Sequence, residues 1–118
     1  MALILPLQIV YRGLPFSEAL DLAVRRRVSH LSQFCDNIMS CRVVVQLIDR
    51  HRHQGHQYGV HIDLKIAGHE LVARRVKHED VYVAVRDAFD DLRRQLEDAV
   101  RRRRSHLLSP EQRQQRRP

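Results

Sequence analysis

Tryptophan is absent from this 118-residue chain, and aromatic side chains make up only 5% of it. A core must then be built from aliphatic residues, and any surface that stacks on rings has few with which to do it. Cys35 and Cys41 are the only cysteines. That count does not describe the disulfide framework of a small secreted domain, so two reduced thiols packed as small apolar groups are expected. No apolar run approaches the ~18 residues of a membrane span, and the residues before Leu7 lack the basic region and long apolar stretch of a signal peptide. A cytoplasmic protein without membrane contact is expected. With four glycines in all, no Gly-rich phosphate loop can be found, nor a Ser-His-Asp arrangement or paired carboxylates in an apolar setting. Neither an enzyme, nor a cofactor, nor a small-molecule substrate is expected.

What is present suits one folded domain: 43% hydrophobic and 30% charged residues over a length that buries a single core. The net charge is +7, unevenly spread. Residues 99–118 hold seven arginines against Glu111 alone, whereas residues 1–98 hold 14 basic and 13 acidic side chains. A nearly neutral body with a basic end points to a polyanionic partner.

Leu7, Ile9 and Tyr11 alternate with Gln8, Val10 and Arg12, the period of a half-buried strand. Ser17 stands at a helix N-cap, with Glu18 and Asp21 in the first turn, and Leu20, Val24, Val28, Leu31 and Cys35 form an apolar stripe over 17–35. The β-branched run Val43-Val44-Val45 predicts a strand over 41–48. Tyr58, Val60, Ile62, Leu64 and Ile66 predict another by strict alternation, and a polar loop joins the two. After the turn at Ala67-Gly68-His69, Glu70 to Val76 is a fourth strand with poor alternation. Glu79 and Asp80 open a long helix whose stripe runs Val81, Val85, Ala88, Leu92, Leu96 and Val100 with Phe89 beside it. The order β-α-β-β-β-α predicts an α+β fold, an antiparallel four-stranded meander with two helices packed on one face. The domain is expected over 1–104, with 105–118 a basic tail too poor in apolar residues to pack.

Arg25, Arg26, Arg27 and His30 fall mostly off the first helical stripe. On the second helix Arg86, Arg93 and Arg104 share one flank, and Asp87, Asp91 and Asp98 the other. A solvated, internally paired face would explain some of these, since Asp90 can reach Arg94 and Glu97 can reach Arg101 at i+4. Four successive arginines, Arg101 to Arg104, exceed what a helix dipole accounts for and suit phosphate contacts. His51, His53 and His56 in the polar loop lack a cysteine motif or a fixed tetrahedral set, which makes a zinc site a poor reading. Tyr82 reads as a packing residue at a helix start.

The order of elements, the segment Lys77-His78-Glu79-Asp80-Val81-Tyr82-Val83-Ala84 and the Leu92-Arg93-Arg94-Gln95-Leu96 stretch resemble the ribosome hibernation-promoting factor family, which includes the ribosome-associated translation inhibitor. The likeness covers about residues 7–102. It implies a fold similar to the double-stranded-RNA-binding domain. It also implies binding to 16S rRNA of the 30S ribosomal subunit across the mRNA, A-site and P-site region, silencing translation in 70S or 100S ribosomes under stress or in stationary phase. The family's basic positions fall on Arg27, His30, Lys77, Arg94 and Arg102; two positions where relatives carry lysine are Asp91 and Asp98 here. An arginine-rich tail replaces the acidic tail or dimerisation domain of other members, so the chain looks like a short form. The residues expected to contact RNA are therefore Arg25, Arg26, Arg27, His30, Lys77, Arg86, Arg93, Arg94, Arg101, Arg102, Arg103 and Arg104. Two other classes remain open from the residues alone: a general double-stranded-RNA or nucleic-acid-binding module not specific to ribosomes, and a regulatory protein-interaction factor.

Overall fold

A computed structural model describes residues 6–49 and 57–106, apart from the side chains of Asp49, Val76, Lys77 and residues 103–106. The elements are β1 (Leu7–Arg12), α1 (Glu18–Phe34), β2 (Ile38–Asp49), β3 (Gln57–Ile66), β4 (His69–His78) and α2 (Val81–His106). They form one sheet in the order β1-β2-β3-β4, with both helices contributing to a single core on one side of it.

Each helix starts where its side chains can satisfy free backbone N–H groups. Ser17 Oγ accepts from the Leu20 amide at 3.3 Å, and Asp80 Oδ1 accepts from the Tyr82 amide at 2.9 Å. Both residues are caps rather than helical positions, which trims the expected 17–35 helix to Glu18–Phe34. Between β3 and β4, Gly68 has φ +81°, a left-handed conformation that costs other residues energy and that closes this turn tightly.

One expectation is corrected. The sheet is mixed: β2-β3-β4 is an antiparallel meander, but β1 pairs parallel to β2, with Leu7 opposite Cys41 and Tyr11 opposite Val45. The reason is the connection, because α1 carries the chain back across the sheet before β2 begins. On β4, Leu71 and Ala73 face the helices while Val72 lies exposed on the other face. A register shift between Tyr58 and Val60 disturbs the pairing at the far end of this strand.

The core itself follows the periodicities. Leu20, Val24, Val28, Leu31 and Cys35 of the α1 region pack with Val85, Ala88, Phe89, Leu92 and Leu96 of α2 over Cys41, Val43, Val45, Val60, Ile62 and Leu64. Val81 and Val100 are only partly buried, and Ala84 and Ala99 complete the stripe instead. Both cysteines are free and buried.

Candidate nucleic-acid interface

The core stripes leave the remaining faces of both helices to water, and the arginines stand there. Arg25, Arg26 and Arg27 are successive helical residues about 100° apart, so they cannot share a direction. Arg25 Nε donates to Asp21 Oδ2 at 2.8 Å, and Arg27 Nη1 reaches across to Asp90 Oδ1 of α2 at 3.8 Å. Arg26 is exposed and, among the described residues, has no ion pair.

Along α2, four of the five arginines whose side chains are described have an acid beside them. Arg86 lies 3.2 Å from Asp87, Arg93 3.3 Å from Glu97, Arg94 3.6 Å from Asp91 and Arg101 3.7 Å from Asp98. The expected i+4 partners, Asp90 with Arg94 and Glu97 with Arg101, are not the ones found: Asp90 serves Arg27 and Glu97 turns back to Arg93. Asp87 also takes a second cation, Arg75 of β4, at 3.8 Å. Arg102 is exposed and unpaired among the described residues. Lys77 lies on β4 and Arg103 and Arg104 on α2 by backbone, but their side chains lie outside the described residues, as do the tail and the loop histidines.

These pairs are solvent-exposed and each contributes only ~0–1 kcal/mol. They orient the guanidinium groups without committing them, because a phosphate can displace a carboxylate from such a pair at small cost. Net positive potential is supplied by cations that lack a partner.

Sequence reasoning missed a second set. Strand alternation turns Arg12, Arg42, His61, Asp63, Lys65 and Arg74 to the face of the sheet that no helix covers. There Arg74 Nε donates to His61 Nδ1 at 3.1 Å, and His61 Nε2 stands 3.1 Å from Asp63 Oδ1. With Nδ1 accepting, the imidazole proton sits on Nε2 and is donated to the carboxylate. The signal was legible: the alternation that buries Ile62 and Leu64 must expose their neighbours.

At the groove between the helices, His30, Leu31, Gln33, Phe34 and Arg93 line a cleft of about 360 Å³. The Arg93 guanidinium lies over the Phe34 ring, 5.6 Å from its centroid. Tyr82, expected to pack, is half exposed. Among the described residues, no group of three histidine, cysteine or carboxylate side chains could hold a metal ion. No helix among them is long and apolar enough to cross a membrane.

Arginine-bearing helices laid over one face of a four-stranded sheet define a small α+β domain whose functional groups lie on its surface. The profile of the Sigma 54 modulation protein / S30EA ribosomal protein family matches residues 7–104, and the chain belongs to that family of ribosome-associated proteins. Two solved structures share the fold. A ribosomal subunit interface protein from Coxiella burnetii is 22% identical, with a TM-score of 0.68, covering 80% of this chain and 97% of its own. The Protein Y N-terminal domain from Thermus thermophilus is 19% identical, with a TM-score of 0.67, covering 80% of this chain and 98% of its own. No curated protein matches the chain at a significant level.

Proposed function

We propose that the protein binds the 30S subunit through 16S rRNA in the mRNA, A-site and P-site region and silences translation by occupying it, as a cytoplasmic, non-catalytic hibernation factor. The observation that carries this reading is the family match over 7–104, which spans all the strands and nearly the whole of α2, with its row of arginines. The physical chemistry agrees with it. A +7 chain with exposed guanidinium groups on two helices gains affinity for rRNA through phosphate contacts and counterion release, without reading base sequence. The contact set is Arg26, Arg27 and His30 from α1, Arg86, Arg93, Arg94, Arg101 and Arg102 from α2, and Arg25, Lys77, Arg103, Arg104 and the 105–118 tail at the margins. No reaction is required, since occupancy alone excludes tRNA and mRNA.

Competition on purified 30S subunits tests the site. Pre-bound mRNA with P-site tRNA should exclude the protein, and excess free duplex RNA should compete weakly. If duplex RNA strips the protein from the subunit while mRNA and tRNA leave it bound, the protein is a general RNA-binding module instead.

A further inference from the structure

Only three phenylalanines occur in the chain, and they are used differently. Phe89 is buried in the core, and Phe16, although 67% exposed, meets Tyr11 edge-on with ring centroids 5.7 Å apart. Phe34 is 42% exposed at the last residue of α1. It falls outside the buried stripe because Leu31 and Cys35 take the inward positions on either side. Exposure alone is ordinary for a single ring; what sets Phe34 apart is the polar cleft it lines and the guanidinium over its face.

The surroundings of Phe34 specify what fits. The cleft it shares with His30, Leu31, Gln33 and Arg93 measures about 360 Å³, open to solvent between α1 and α2. Apart from the Phe34 ring, the only apolar residue lining it among the described residues is Leu31, which is itself nearly inaccessible. A greasy side chain from a protein partner would thus meet a ring, an imidazole, an amide and a guanidinium. A planar heterocycle meets them well: a ring to stack on, Gln33 with both a donor and an acceptor for a base edge, and His30 and Arg93 for the phosphate attached to it. The Arg93 guanidinium is 5.6 Å from the ring centroid and is steadied from behind by Glu97 at 3.3 Å. The exposed pair with Glu97 is weak enough for a phosphate to draw the guanidinium away, or for it to flank an entering base.

We propose that this cleft is a stacking site for one unpaired RNA base, with Phe34 as its platform. The proposal rests on the ribosomal RNA reading above and adds a contact that is not electrostatic. Stacking of this kind separates from phosphate binding by its salt behaviour: losing it lowers affinity at every salt concentration and leaves the slope of log affinity against log salt unchanged.

Two measurements test it together. In 30S binding across a salt series, Phe34→Leu is expected to weaken affinity about 10- to 100-fold with the slope preserved, and Phe34→Tyr to bind like the parent. A urea unfolding midpoint of the leucine variant equal to the parent's excludes a packing defect. Because the chain has no tryptophan, Phe34→Trp also introduces a single fluorophore, whose emission is expected to be quenched by single-stranded oligoadenylate and shielded from acrylamide. If the parent binds 30S subunits, the leucine variant binds equally well and the oligonucleotide leaves the fluorophore unchanged, the stacking site is overturned while the ribosomal reading stands. If quenching occurs but no variant binds the subunit, the cleft stands and the ribosomal reading falls. If neither RNA is bound, both fall.

Discussion

The Tyr11 hydroxyl donates to Asp21 Oδ1 at 2.9 Å, so that the end of β1 is tied to the first turn of α1, and the other oxygen of the same carboxylate accepts from Arg25. Burial first, then this hydrogen bond and the negative charge of Asp21, push the Tyr11 phenol up to about 12. The folded state thus holds its proton more tightly than the unfolded chain does. The stabilisation is fully present below pH ~10, the unfolded phenol value, and is lost as pH rises toward 12. Urea midpoints measured from pH 8 to 11.5 should fall over the upper part of this range. Tyr11→Phe should cost about 1 kcal/mol at pH 8 and flatten that fall; an equally steep fall in the variant would assign it to other groups.

Cys41, buried on β2, behaves in the same direction for a simpler reason. Loss of water around the thiol, with Asp63 nearby, raises it to about 12. The nucleophilic thiolate is therefore scarce at neutral pH, and alkylation should be slow in the native protein and rapid in urea. Fast modification of Cys41 by iodoacetamide at pH 7.5, mapped by mass spectrometry, would contradict the buried position.

The turn at Gly68 can be tested through its backbone alone. A Cβ built there meets nothing within 4 Å, so space is not limiting. The φ of +81° is, and Gly68→Ala should destabilise by about 1–2 kcal/mol in thermal or urea unfolding. Loss of less than a few tenths would mean that the turn relaxes to another shape.

The acids on α2 make a prediction about affinity that differs by flank. Asp90 and Glu97 hold Arg27 and Arg93, so Asp90→Asn with Glu97→Gln should free two guanidinium groups and strengthen 30S binding several-fold. Asp91→Lys with Asp98→Lys releases Arg94 and Arg101 but adds its own charge on the other flank, so it should strengthen binding less than the first pair does, whereas Arg86→Ala with Arg93→Ala should weaken it. A large gain from the lysine pair with no loss from the alanine pair would put the RNA on the opposite side of α2.

Salt supplies the remaining measurement. Truncation after Val100 removes seven arginines and Glu111, a change of six positive charges. Each lost phosphate contact lowers the slope of log affinity against log salt by roughly 0.7 to 0.9. An unchanged slope in the truncated chain would make the helix end and tail bystanders.

How far the sequence carried these conclusions depends on the range of the interaction concerned. Stripes such as Leu20-Val24-Val28-Leu31 and Val85-Leu92-Leu96 announce their burial because periodicity is a local property, and they located every element to within a few residues. The parallel pairing of β1 does not show in its alternation, which is the same whichever way a neighbour runs; it follows instead from the helix placed between β1 and β2. The inward frame of β4 was not legible, because Leu71, Val72 and Ala73 supply apolar residues in both frames, and only the register with Ile62 and Leu64 chooses between them. Ion pairs showed the same division. Asp91 with Arg94 lies within helical reach, but Asp90 is drawn to Arg27 of a different helix, which no i+3 or i+4 rule foresees. The Phe34 cleft needed both helices in place before it existed.

The parallel pairing of β1 also bears on the order in which the chain acquires its shape. The β3-β4 pair closes across the Gly68 turn, with Ile66 opposite His69, and needs almost no loop entropy. Leu7 can find Cys41 only after α1 has formed and docked, because the whole helix lies in the loop being closed. β1 is thus expected to be the last strand recruited and the first to detach. Amide exchange should show it, with the Ile9 and Tyr11 region opening at lower free energy than Ile62 or Leu64, so that one edge of the domain unzips while the β2-β3-β4 hairpins persist.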